Sequence, residues 1–236
     1  MSTENLSRSG ISPKVDRDGG KTQQSSGFSQ AEYSPVVNEA INEAIELLNQ
    51  QKYDDAKIKL QDYLRENKDD IKAIHLLGTI FAKQNDYINA ERYFKKELEL
   101  NPAQADAHFN LGLIHSQQNR LSEAKHDFEN TIKLNPTDAH ALNDLGVINF
   151  TLGDNEKSQD CFSKALEATP TFNDAFLNLF ELLWNENKYD IALEYAYNFL
   201  KELSNKNSAE LVNEMTNNNP VKQESPVQKS LKIQKA

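Results

Sequence analysis

The chain has little of what most chemistry-bearing proteins display. Its 236 residues include one cysteine, one tryptophan, two methionines, eight glycines and seven prolines. A single cysteine, Cys161, excludes an intramolecular disulfide framework and a cysteine-based zinc site within one chain, and it fits a reducing compartment. No apolar run approaches the roughly 18 to 20 residues that a spanning helix needs, and residues 1–36 lack the apolar core of a secretory signal, so a cytoplasmic location without membrane insertion is the expectation. Positive charge is also short. The formal net charge of -10 argues against a surface that tracks phosphates, so nucleic acid is not an expected partner, and partners are expected to be basic or apolar. What remains is a chain with 38% hydrophobic and 26% charged residues, enough for one sizeable domain with flexible ends.

The ends differ from the middle. Residues 1–36 are rich in Ser, Gly, Gln and Lys, with Phe28 and Tyr33 as their aromatics, and they cannot bury enough apolar surface to offset ordering. They are expected to be disordered. Residues 218–236 are expected to form a disordered, weakly basic tail, in which Lys222, Lys229, Lys232 and Lys235 face Glu224 alone from Pro220 onward. Just before it, Asn207 followed by Glu210 has the form of a capping box. Leu211, Val212 and Met215 would then give a short cap helix over 207–217 one apolar stripe.

Between the ends the chain repeats itself. Gly78, Gly112 and Gly146 recur at intervals of 34 residues, and Pro102, Pro136 and Pro170 recur at the same interval. Segments 71–104, 105–138 and 139–172 each read as helix, tight turn, helix. The first carries Ile74, Leu77, Gly78, Phe81, Ala90, Phe94 and Pro102. The second carries His108, Leu111, Gly112, His115, Ala124, Phe128 and Pro136, and the third Leu142, Leu145, Gly146, Asn149, Ser158, Phe162, Ala165 and Pro170. These residues resemble the signature of the tetratricopeptide repeat family, with Glu97 standing in place of a usual small residue. The packing logic is that Gly in the first helix and Ala in the second allow close approach, an aromatic fills the space between, and proline stops the second helix.

Carried outward, the register gives 37–70 and 173–206, which keep Tyr53 with Ala56 and Tyr189 with Ala192. Ala44 and Phe180 occupy the glycine position there, and the terminal proline is missing from both. End repeats of a stack have one face without a neighbour and depart from consensus for that reason. The expected architecture is therefore an all-α, right-handed superhelical solenoid of five helical hairpins, 37–70, 71–104, 105–138, 139–172 and 173–206, plus the cap helix.

The resemblance implies that the first helices of successive repeats line a concave surface, where a ligand would lie. Asn42, Leu76, Asn110, Asp144 and Asn178 share one position on it. This is a partial ladder of polar side chains, similar to the asparagine ladder of the repeat domain of O-linked N-acetylglucosamine transferase, interrupted by Leu76 and Asp144. Solvated consensus residues would look the same. Ile41, Ile45, Leu48, Phe109, Leu113, Val147, Phe150, Leu177 and Trp184 form an apolar set along the same surface, readable as an exposed binding stripe or as core. Phe109, Phe150 and Trp184 are the expected anchors. The residues expected to contact a peptide are Asn42, Phe109, Asn110, Leu113, Asp144, Val147, Phe150, Asn178 and Trp184.

Other classes find less support. The Lys and Arg clamp with which some co-chaperones of this family hold a terminal carboxylate is missing: His75 with Thr79, or Asp144 with His140, stand at such places. His108 and His115 lie seven apart, with His75, His126 and His140 elsewhere on the chain, yet no carboxylate is expected beside His108 or His115, so no metal is expected. There is no phosphate-cradling Gly-rich loop and no nucleophile with partners. The sequence thus reads as a non-catalytic adaptor without cofactors that binds a protein or peptide in its groove. Two alternatives stand beside it: an oligomer assembled through its own ends or tail, and the specificity subunit of a separate enzyme such as a glycosyltransferase.

Overall fold

The computed structural model describes residues 35–206, with side chains from Glu39 to Ser204. The expected disordered ends and the cap helix over 207–217 lie outside the described residues. Within them the chain is helical, with ten helices joined by short turns. In chain order they are α1 (Pro35–Asn49), α2 (Tyr53–Glu66), α3 (Ile71–Lys83), α4 (Tyr87–Leu100), α5 (Ala105–Gln117), α6 (Leu121–Leu134), α7 (Ala139–Thr151), α8 (Asn155–Ala168), α9 (Asn173–Asn185) and α10 (Tyr189–Lys206). They divide into two compact units, one ending at Ile114 and the other beginning at His115.

The turn inside each hairpin is built the same way every time. Gln51, Asn85, Asn119, Gly153 and Asn187 all adopt positive φ, between 58° and 83°, and they are spaced 34 residues apart. The residue after each donates its N–H to a carbonyl five residues back, as in Asp86 to Phe81 and Asp154 to Asn149, both at 2.9 Å. This is the Schellman closure, which satisfies carbonyls that a helix end leaves open, and Asn and Gly are the residues that enter the left-handed region most cheaply. Aspartate then starts several helices: Asp70, Asp86, Asp138 and Asp154 each accept a backbone N–H from the first turn of the helix that follows. The helices that precede Pro102, Pro136 and Pro170 end two residues earlier, at Leu100, Leu134 and Ala168, because a proline disfavours helical backbone at the residue before it.

Helices pack through a size match. A methyl group added to Gly78 would come within 2.8 Å of Phe94, and one added to Gly146 within 2.5 Å of Phe162, so these hairpins close only around a missing side chain. Phe94, Phe128 and Phe162 are among the largest fully buried side chains. Both end repeats change the two partners together. The first has Ala44 with Leu60, and the last Phe180 with Ala196, at the same 16-residue spacing that separates Gly146 from Phe162. Where the glycine position gains volume, its partner gives volume up.

Two further departures from consensus have structural reasons. Ser158 donates its hydroxyl to the Gly146 carbonyl at 2.9 Å, a buried bond that an alanine could not make. Glu97 is buried and accepts a hydrogen bond from His75 Nδ1 at 3.0 Å, so the large acidic residue is held by an imidazole on the facing helix.

In the unit ending at Ile114, the apolar core runs from Ile41, Ala44 and Leu48 through Leu76, Leu77 and Phe81 to Leu111 and Ile114. In the other unit it gathers Leu142, Phe162, Phe176, Leu179, Leu182, Leu183 and Phe199, with Phe176 and Phe199 stacked at 4.1 Å.

Candidate functional site

Each expected contact residue has a definite place. In the first unit Asn42 is exposed on α1, whereas Phe109, Asn110 and Leu113 on α5 are buried. In the second, α7 carries Asp144, Val147 and Phe150, all half-buried, and α9 carries buried Asn178 and Trp184, whose exposure is 45%. The apolar set does not form an exposed band. Ile41 and Leu48 belong to the core around Leu76 and Phe81, because the first helices of neighbouring repeats bury these positions against each other. Trp184 alone of that set is open to solvent. It stacks on Phe180 at 5.5 Å and meets Tyr189 edge-on at 4.8 Å.

The polar ladder also differs from an evenly solvated row. Asn178 Nδ2 donates to Asn143 Oδ1 across 2.9 Å, and Asn143 Nδ2 donates to Asp144 Oδ1 at 3.2 Å, so these amides are committed to one another between α9 and α7. Asn110 is different: its Nδ2 is buried and meets no acceptor among the described residues. Leaving such a donor unsatisfied costs about 1–3 kcal/mol.

Two acidic groups were not legible as special. Glu181, one turn beyond Asn178 on α9, is 8% exposed, and neither carboxylate oxygen has a hydrogen-bond partner among the described residues. Burial pushes its pKa up from 4.5 to about 7. The expectation that no carboxylate stands beside His108 or His115 is corrected for His115. Its Nδ1 lies 2.6 Å from Asp127 Oδ2, and both side chains are buried. Twelve residues separate them in the chain, His115 on α5 and Asp127 on α6. No group of three potential ligands that could hold a metal occurs among the described residues. Cys161 is buried, which pushes its thiol pKa up to about 11. No described helix is long and apolar enough to cross a membrane.

The repeat geometry has a counterpart in known proteins. Models of the tetratricopeptide repeat match residues 71–104, 105–138 and 139–172 in unbroken succession. Over residues 71–172 the chain belongs to the tetratricopeptide repeat family. Its fold is the all-α superhelical fold of that family, whose members serve in general as scaffolds for protein–protein interaction. Among solved structures it is similar to MamA 41-end from Desulfovibrio magneticus RS-1, with 21% identity and a TM-score of 0.64 over 75% of this chain and 99% of that one. It is also similar to pilF of Pseudomonas aeruginosa, with 20% identity and a TM-score of 0.63 over 70% and 75% of the two chains. A third is YrrB, described as a tetratricopeptide protein with an unusual peptide-binding site, with 20% identity and a TM-score of 0.57 over 69% and 84%. These likenesses concern the fold. No curated protein matches the sequence.

Proposed function

We propose that this tetratricopeptide protein is a non-catalytic interaction module that holds a segment of a partner protein against its first helices, within a frame of five repeats from 37 to 206. The observation that carries the reading is Asn110. It occupies the ladder position of α5, and its buried amide N–H has no acceptor among the described residues. A peptide carbonyl supplies the missing acceptor, and a bond of this kind contributes about 1 kcal/mol net. The half-buried Val147 and Phe150 and exposed Trp184 add apolar surface in the other unit. The likeness to YrrB, whose description includes a peptide-binding site, supports the same reading.

The test is photo-crosslinking in cells with a benzophenone amino acid at position 106 in one chain and at position 184 in another, comparing the first with and without Asn110→Leu and the second with and without Phe150→Leu, in variants of unchanged melting behaviour. A crosslinked partner that weakens with the substitution in its own unit supports the reading. A partner captured equally well with and without both substitutions sinks it.

A second reading has its own observation. On α10, Leu193, Tyr197 and Leu200 are exposed and fall on one helical face, with Ile191 nearby, a stripe of the kind that marks association. Self-assembly through it predicts oligomers in light scattering that Leu193→Lys and Tyr197→Lys dissolve. Oligomers that persist in both variants, or a monomeric wild type, rule it out.

A further inference from the structure

Glu181 poses a problem that the fold does not solve. A carboxylate removed from water is ordinarily paired or hydrogen-bonded, yet both oxygens of Glu181 are buried without a partner among the described residues. Burial is the whole cause of its raised pKa, and no charged neighbour contributes to it. The group is thus suspended near neutrality, half protonated at about pH 7.

Its surroundings specify what would complete it. One turn earlier on α9, an N–H of Asn178 is spent on Asn143, and an N–H of Asn143 is spent on Asp144. These two amide donors are spent within the protein, the second of them on a carboxylate. What α9 leaves without a partner among the described residues is a pair of acceptors, the two oxygens of Glu181. One turn later, at the i+3 position on the same helix face, stands the exposed indole of Trp184, stacked on Phe180. Val147 and Phe150 on α7 are only half-buried and add apolar surface in the same unit. An acceptor set without spare donors beside an aromatic face fits a group that only donates, carries positive charge and has an apolar stem.

We propose that Glu181 is the anchor for a lysine or arginine side chain of an extended partner segment lying across α7 and α9, with Trp184 packing on its aliphatic stem. The assignment rests on the reading of the chain as a peptide-binding module and names the chemistry of the peptide. It is the electrostatic opposite of a basic clamp for a terminal carboxylate, and the chain's net charge of -10 favours approach of such a segment. A buried carboxyl group that is partly protonated when free releases that proton on meeting a cation, which couples occupancy to pH.

The test uses a displayed library of random dodecapeptides selected on the full chain. Selected peptides are expected to share a lysine or arginine at one fixed register. Replacing it with norleucine should weaken binding more than about tenfold, and Glu181→Gln should do the same. The two changes together should cost little more than either alone, because they remove one interaction. Carbon-detected NMR should show the Glu181 pKa falling by at least about one unit when the peptide binds, a tenfold preference for the charged form. Glu181→Gln keeps the size of the side chain and removes a buried charge, so the variant folds.

Peptides that bind Glu181→Gln as tightly as the native chain, while still depending on Asn110 or Trp184, overturn the anchor and leave the binding module standing. A library that yields no peptide overturns both. The chain's own end is the other possible occupant, since residues 220–236 carry Lys222, Lys229, Lys232 and Lys235. If deleting them from the free protein raises the Glu181 pKa by as much as a peptide lowers it, the anchor serves this tail and the assignment to a partner is wrong.

Discussion

Replacing Gly146 with alanine tests the packing argument at its tightest point. The added methyl would lie 2.5 Å from Phe162 Cε1 and 2.7 Å from Cδ1, where ordinary van der Waals contact begins near 3.4 Å, so something must move by about 1 Å. Phe162 is 1% exposed, so its ring cannot give way into solvent. Overpacking of this kind costs about 1–3 kcal/mol, while alanine in a helix interior returns about 1 kcal/mol relative to glycine. The net expectation is a loss of up to about 2 kcal/mol, which at about 2–4 °C per kcal/mol lowers Tm by up to roughly 8 °C. The Gly146→Ala, Phe162→Leu double variant recreates the pair that the first repeat has in Ala44 and Leu60, and should recover most of the loss. Urea unfolding of the wild type, both single variants and the double variant gives the coupling energy, expected to favour the double variant by about 1–2 kcal/mol. A coupling energy of zero refutes the argument that the hairpin closes around the missing side chain.

Other expectations are as direct. Glu181 keeps its proton in the folded state up to about pH 7, whereas in the unfolded chain it loses it near 4.5. Its contribution is therefore neutral below pH 4.5, turns increasingly destabilising as pH rises to 7 and is constant above; Glu181→Gln should gain stability over that window, by at most about 3 kcal/mol, in urea titrations run from pH 4 to pH 8. Breaking the buried His115–Asp127 pair with Asp127→Ala should cost on the order of 3 kcal/mol, read from the denaturation midpoint, and a change below about 1 kcal/mol would show that the pair adds nothing to the fold. Cys161, buried and with its pKa pushed up to about 11, should resist iodoacetamide at pH 8 in the native protein and react once urea unfolds it; native labelling at the rate of a free thiol would contradict its placement.

The 34-residue spacing of the Gly78, Gly112 and Gly146 series, and of the prolines that follow, was enough to assign the repeat and its helices, because both signals are local: glycine and proline act on the backbone where they stand. The asparagines at 85, 119 and 187 carry the same period and mark the left-handed turns. They are as readable as the glycines. The paired exchange of Ala44 with Leu60 and Phe180 with Ala196 was also present in the sequence, and the structure gave it its meaning.

What the sequence could not determine is what each polar side chain meets. Glu97, Asp127 and Glu181 look alike as acidic residues on amphipathic helices, yet the first is held by His75, the second by His115, and the third has no partner among the described residues. Likewise Asn110 and Asn178 share one repeat position, but Asn178 meets Asn143 from the neighbouring repeat while the Asn110 amide finds no acceptor among the described residues. The local pattern dictates helices and turns through the backbone preferences of single residues. Burial and pairing depend on atoms brought together from distant positions, and only the packed tertiary structure decides which charges are satisfied and which are left for a ligand.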